Sequence, residues 1–366
     1  MRLQWVLRNF WKYAAVVSLF FLTVDIVFLR PKEVVRLSDS EQTQEILDSF
    51  SSPNVKNESA GQFLGKDWTI DIGTRRLFAR KNPKCGKTVE LLIGVISHAN
   101  ETQMRRDVRN SWASKTSYNT SFTQILFLVG RTENSTCTTA EALEFNDIIY
   151  VDVNESYYNL SMKTYALLRY QREFCLQARC TLKIDSDVVA NVAGMERLCR
   201  SQNDTPVVTG HCKNEWLPLM REVESKYYVP RFIYAQDNYP PYCYGAAYMY
   251  SGHRVADLFL DAVPQTPFLR SENFRRLSED TIFTGLLRTL VDVPLQNNIG
   301  FSVYQDDYSY WCPDGQSPTP LVFHGSKEPI PEWEKMRKDR NGSTSLWSPQ
   351  RWRRCGFRGT KYSRNE

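Results

Sequence analysis

The chain has 366 residues, 42% of them apolar and 24% charged. That length carries one large α/β domain or two small ones with ample core, and the composition excludes wholesale disorder. The net charge of +5 is small for the length. The basic C-terminus (Arg351, Arg353, Arg354, Arg358, Lys361 and Arg364, with Trp352 and Phe357 among them) reads as a solvated tail, and no nucleic-acid partner is expected.

Residues 13–29 form one apolar run broken only by Asp25. Such a run is at the short end for a bilayer helix, where about 20 residues are typical. Arg2, Arg8 and Lys12 precede it, with Trp5, Trp11 and Tyr13 placed for the interface. The positive flank predicts a cytosolic tail at 1–12 and a luminal remainder, although Arg30 and Lys32 weaken the asymmetry. No small-x-small cleavage site follows, so an uncleaved transmembrane signal-anchor is expected rather than a signal peptide.

Residues 30–84 are polar, carry Ser-Ser-Pro at 51–53, and read as a luminal stem with a short helix near 40–50. Asn-x-Ser/Thr sequons begin at Asn57, Asn100, Asn119, Asn134, Asn154, Asn159, Asn203 and Asn341, a density that suits a luminal chain. All nine cysteines lie beyond the apolar run and none forms Cys-x-x-Cys. Disulfides are therefore expected rather than zinc, with at least one thiol left over or paired with another chain.

The globular domain is expected over 85–366. Residues 89–97 predict a strand buried on both faces, 102–114 a helix, 122–130 and 147–153 two further strands, and 160–178 a long helix leading into a strand at 181–184. This alternation implies a mostly parallel sheet with helices on both faces, whose ligands bind at the strands' carboxyl ends. Asp185 and Asp187 fall there. Two carboxylates one residue apart after a buried strand can converge on a hard divalent cation, which then bridges a diphosphate. No G-x-G-x-x-G or P-loop pattern is present, which argues against a dinucleotide enzyme or a P-loop NTPase.

Several segments come in a fixed order: Arg105-Arg-Asp-Val-Arg-Asn-Ser-Trp112, Phe127-Leu-Val-Gly130, Tyr158-Asn-Leu-Ser-Met-Lys-Thr164, Lys183-Ile-Asp-Ser-Asp187, Tyr239-Pro-Pro-Tyr-Cys-Tyr-Gly245, Glu279-Asp-Thr-Ile-Phe-Thr-Gly285 and His324-Gly325. Over residues 89–325 this series resembles the β-1,3-galactosyltransferase family (glycosyltransferase family 31). The resemblance implies a GT-A fold behind an N-terminal transmembrane helix, in a type II Golgi membrane enzyme. It further implies a UDP-sugar donor, Mn²⁺, inversion at the anomeric carbon and a glycan acceptor on glycolipid or glycoprotein. Departures are Asp-Ser-Asp for three aspartates, Ser111 for threonine, Ala246-Ala247 after Gly245, and Thr281 for valine.

Carried onto this chain, the resemblance implies Asp187, Asp185 and His324 at the metal, Asp280 as catalytic base, and Arg105, Arg109, Lys163 and Asp185 on the UDP-sugar. Glu279, Tyr239 and Tyr242 fall on the acceptor side. From the residues alone, Ser278-Glu279-Asp280 opening an apolar run also reads as a helix cap. Arg106 reads as a surface residue. The alternative is a family relative without turnover that acts as a luminal chaperone or glycan-binding partner.

Overall fold

The computed structural model describes residues 37–50 apart from 39, and then 71–72, 76–132, 136–225, 227–301 and 321–324. The expected signal-anchor at 13–29, Trp311, Cys312, Cys355 and the basic C-terminus lie outside these. Among the described residues no helix is long and apolar enough to cross a membrane.

In chain order the elements are α1 (Glu41–Phe50), β1 (Leu91–Ile96), α2 (Thr102–Asn110), β2 (Thr123–Arg131), α3 (Thr136–Phe145), β3 (Ile148–Asn154) and α4 (Leu160–Phe174). Then follow β4 (Cys180–Asp185), β5 (Val188–Ala190), α5 (Val192–Ser201), β6 (Val207–Cys212), β7 (Leu217–Pro218), β8 (Asn238–Tyr239), β9 (Cys243–Ser251) and α6 (Val255–Ala262). A π-helical segment at Thr281–Leu287, β10 (Leu295–Asn297) and β11 (Val322–His324) complete the described chain.

Seven strands form one sheet in the order β10-β6-β9-β4-β1-β2-β3. Its neighbours pair in parallel except at β9, which runs antiparallel to both β4 and β6. The expected mostly parallel α/β sheet is therefore present, with one reversed strand that the local pattern did not signal. Period-2 alternation sends Leu92 and Ile96 of β1 into one core cluster and Leu91, Ile93 and Val95 into the other. Helix α4 packs on the first face so closely that a Cβ at Gly94 would lie 2.5 Å from Leu167. Glycine at that position is what lets helix and sheet meet.

The two predicted helices end early. α2 stops at Asn110, where the Ser111 hydroxyl donates to Asp107 O at 2.7 Å. α4 stops at Phe174, and Cys175 pairs with Cys85. Two further disulfides join Cys180 to Cys199 and Cys212 to Cys243.

Part of the stretch expected as stem belongs to the folded body. The predicted helix near 40–50 is α1, capped by Ser40, whose Oγ accepts from Thr43 N at 3.2 Å. Ile46 is fully buried in the core, and Ser38 N donates to Leu290 O at 2.7 Å. Farther along, Phe78 bridges Val151 of β3 in antiparallel sense, and Ile72 and Leu77 are buried. Apolar residues spaced too widely for a periodic signal make these contacts, so composition alone hid them.

Candidate active site

The sheet positions the site. Register places Asp185, the last residue of β4, beside Ile96, the last of β1, and sets Ile184 against Ala247 of β9. The acidic loop is thus flanked by the turn after β1 on one side and by the start of β9 on the other.

Lys183 joins these parts. A lysine within a buried strand requires charged or polar partners. Its Nζ donates to Asp185 Oδ1 at 2.6 Å and to Gly245 O, and lies 3.5 Å from Glu279 Oε2. Burial opposes the Lys183 charge, yet Asp185 and Glu279 together hold its pKa above the ordinary value. The strand pattern around Lys183 carried the signal: one cation among apolar neighbours, two residues before a carboxylate.

Asp280 is half-buried and doubly anchored. Its Oδ1 accepts from Thr281 N at 2.9 Å, capping the π-helical segment, and its Oδ2 accepts from Gly245 N at 2.9 Å. A Cβ at Gly245 would sit 3.2 Å from Asp280 Oδ2, so a larger residue there would press on the carboxylate. Burial first, and then the negative charge of Glu279, raise the Asp280 carboxyl to about 7, against the pull of Lys183 and the two backbone donors. The cap reading holds, and the same residue has the ionisation expected of a base near neutral pH.

Glu279 points elsewhere. It is buried, accepts from Thr164 Oγ1 at 2.6 Å and from the Tyr248 hydroxyl, and faces Lys183. It is buried next to Asp280 in the chain, and its negative charge acts on the Asp280 carboxyl, the like-charge influence expected from the sequence.

Asp187 and His324 meet from different elements. β11 pairs with β5 so that His324 lies opposite Val188, the residue after Asp187. The His324 Nε2–Asp187 Oδ2 distance is 3.6 Å, and the two side chains are 34% and 49% exposed. Partial burial pushes the Asp187 carboxyl up, but the adjacent His324 outweighs it and leaves the group below its ordinary value. Asp185 turns its Oδ1 to Lys183, while burial raises its carboxyl to about 6. Among the described residues no three His, Cys, Asp or Glu side chains converge as a complete metal cage. A carboxylate and an imidazole open to solvent, with a second carboxylate two residues away, fit a hard or borderline divalent ion whose shell is completed by phosphate and water.

The three cations expected at the nucleotide have protein partners. Arg105 is fully buried: Nε and Nη2 grip Glu141 at 2.9 and 2.7 Å, and Nη1 donates to Ser97 Oγ and His98 O at 3.0 and 2.6 Å. Arg109 binds Asp147 through Nε and Nη2, both at 2.8 Å, and Glu141 through Nη1 at 2.7 Å, lying between the rings of Phe127 and Phe145. Lys163 Nζ contacts Glu155 Oε2 at 2.6 Å and Ser97 O at 2.9 Å. Glu155 in turn accepts from Ala99 N and Gly130 N. Arg105 and Lys163 therefore brace the turn at 97–101, while Arg109 shares Glu141 with Arg105 and ties it to Asp147. Arg106 is exposed, as expected.

On the aromatic side, Tyr239 is buried and stacks on Tyr234 at 5.6 Å, with Tyr242 edge-on to it at 6.2 Å. Tyr242 lies against the π-helical segment, 3.2 Å from where a Cβ on Gly285 would stand. Sequence reading missed Tyr157, which is 48% exposed and feels the charge of Asp280. Its position one residue before the Tyr158-Asn-Leu-Ser motif was the available hint.

A sequence profile of the galactosyltransferase family matches residues 103–298, more than half of the chain. The chain belongs to the galactosyltransferase family. Beta-1,3-galactosyltransferase 1 of Homo sapiens is 32% identical over 234 residues, covering 62% of this chain and 68% of that protein. Beta-1,3-galactosyltransferase 5 of Mus musculus is 32% identical over 245 residues, covering 66% and 72%. Among solved structures, galactosyltransferase LgtC in complex with donor and acceptor sugar analogs aligns with a TM-score of 0.34 and 16% identity, over 72% of this chain and 99% of that one. The profile spans the family-like segments from α2 through the Glu279-Asp280 pair to β10, and therefore includes the acidic loop and its neighbours.

Proposed function

We propose that this chain is a GT-A-type Golgi β-1,3-glycosyltransferase. It would move galactose, or an N-acetylhexosamine, from a UDP-sugar to the 3-hydroxyl of an acceptor sugar on a glycolipid or glycoprotein, with inversion. The observation that carries the reading is Asp280, a carboxylate with a pKa raised to about 7, fixed by two backbone donors at the margin of the acidic loop.

In this reading Asp187 and His324, with Asp185, would hold a Mn²⁺ ion. The metal supplies Lewis-acid charge for the departing UDP. Asp280 takes the proton from the acceptor 3-hydroxyl. The freed oxygen forms a bond to the sugar's anomeric carbon as the bond from that carbon to the β-phosphate oxygen breaks, and the electron pair leaves with UDP. Displacement from the opposite face inverts the configuration. Lys183 keeps Asp185 and the start of β9 in place, Arg105 and Lys163 act on the donor through the turn they brace, and Arg109 holds the Glu141 with which Arg105 pairs.

The test is UDP release by the full chain, made in a secretory host, with Mn²⁺ and separately UDP-Gal, UDP-GlcNAc and UDP-GalNAc against a panel of acceptor sugars. Release with one donor, abolished by EDTA, supports the reading and names the sugar. Metal-dependent UDP binding without release on a widened acceptor panel would favour the inactive-relative alternative.

A further inference from the structure

A cavity of about 520 Å³ opens between α1 and the β7–β8 hairpin, lined by Glu41, Gln42, Glu45, Trp216, Gln236, Asp237 and Asn238. That volume falls within the range of small-ligand sites. Nothing in the mechanism above uses it.

The cavity is held on both sides. α1 is anchored by buried Ile46 and Thr43, by Ser38 N on Leu290 O, and by Gln236 Nε2, which donates to Glu45 O at 3.5 Å. Trp216 directly precedes β7, whose Leu217 and Pro218 pair with Tyr239 and Asn238. Glu41 and Glu45 stand one helical turn apart on one face.

The lining has a definite chemistry. An indole offers a flat apolar face to the C–H groups of a sugar ring. Three amides each supply donors and an acceptor, and the carboxylates accept from hydroxyls. Among the described residues no lysine or arginine lines the cavity, and Arg231, 2.6 Å from Asp237, pairs with one of its three carboxylates. An anionic sugar would meet uncompensated negative charge.

Position adds the last element. Asn238 is followed by Tyr239, which packs on Tyr242, which lies against the π-helical segment that Asp280 begins. We infer that this cavity is a second saccharide subsite for a neutral hexose or N-acetylhexosamine unit of the acceptor, beyond the sugar being extended. The inference rests on the transferase reading. It makes the docked α1 segment part of acceptor recognition.

The experiment uses the full chain and two variants, Trp216→Ala and the isosteric Glu45→Gln, neither of which touches the catalytic residues. Transfer is measured on a mono-, di- and tetrasaccharide series sharing one neutral terminal sugar. In parallel, saturation-transfer NMR follows binding of the neutral tetrasaccharide, its sialylated counterpart and a lysine-rich peptide without donor. For Trp216→Ala we expect KM for the tetrasaccharide to rise about tenfold, equivalent to about 1.4 kcal/mol, with the monosaccharide KM and kcat unchanged. Glu45→Gln should shift KM in the same direction by less. A tetrasaccharide KM left unchanged in Trp216→Ala, or binding of the peptide with no binding of the neutral glycan, overturns the subsite. Should no donor support transfer, tetrasaccharide binding that Trp216→Ala abolishes upholds the subsite while the transferase reading falls. Transfer that Trp216→Ala leaves unchanged for every acceptor does the reverse.

Discussion

Ser186 Oγ donates to Glu101 Oε2 at 2.9 Å, tying the middle of the acidic loop to the turn after β1. The same carboxylate oxygen accepts from Ser97 Oγ at 3.0 Å and from His98 N at 2.8 Å. The hydroxyl at 186, where the family pattern has a third aspartate, thus suits this chain's own Glu101. Ser186→Asp would set two carboxylates against each other in a largely buried place. The expected cost is about 2 kcal/mol, or a Tm lower by roughly 4–8 °C for a domain of this size. Adding Glu101→Gln should restore most of that loss. Thermal unfolding of the metal-free protein reads this directly, and a double variant as unstable as Ser186→Asp alone would contradict the pairing.

Asp280→Asn should leave a folded protein, because asparagine caps a helix about as well as aspartate, while removing the proposed base. The expected loss in kcat is about 10²–10⁴-fold, with affinity for UDP and metal kept. Steady-state kinetics together with UDP binding by calorimetry separate the two effects. Loss of UDP affinity on the same scale as kcat would show that Asp280 holds the donor instead.

The raised Asp280 carboxyl predicts the pH dependence. The base acts when ionised, so kcat/KM should fall as pH drops through about 7 and level off above it. Glu279→Gln removes the like charge and should move this limb to lower pH. Stability runs the other way. Because the folded value lies above the ordinary 3.8, the contribution of Asp280 is fully present below pH 4 and is lost as pH rises through about 7. Asp280→Asn should therefore flatten both the rate profile and the stability profile between those limits. An acid limb unmoved by Glu279→Gln would contradict the assigned coupling.

Arg105 and Glu141 form an ion pair whose side chains are 0% and 3% exposed. Removing one partner leaves a buried charge uncompensated, a loss of about 3–5 kcal/mol. If Arg105 acts by bracing the turn at 97–101, Arg105→Lys and Glu141→Gln should lower Tm together and weaken UDP binding together. Calorimetry on both variants checks this. A loss of UDP affinity in Arg105→Lys alone would mean that the guanidinium reaches the nucleotide.

How far the sequence foretold this depends on the range of each interaction. Strands at 91–96, 123–131 and 148–154 fall within a residue or two of their predicted bounds, because continuous apolar runs mark strands buried on both faces. The placement of Asp185 at a carboxyl end followed from the same pattern. The reversal of β9, the pairing of β11 with β5 that brings His324 to Asp187, and the docking of α1 join residues far apart in the chain, and no local period encodes them. The partners of Arg105, Arg109, Lys163 and Glu279 were hidden for a related reason. A charged residue in a motif reads as exposed until the opposite charge that allows its burial, here Glu141, Asp147, Glu155 or Lys183, is seen beside it.

The most direct measurement is the linkage and anomeric configuration of the product, read by NMR after incubating the full chain and its Asp280→Asn variant with the donor that supports UDP release. The account predicts one β-1,3-linked sugar from the wild-type chain and, in the same time, at least about a hundredfold less of it from Asp280→Asn, with donor binding intact in both. An α-linked product, or undiminished transfer by Asp280→Asn, would contradict it.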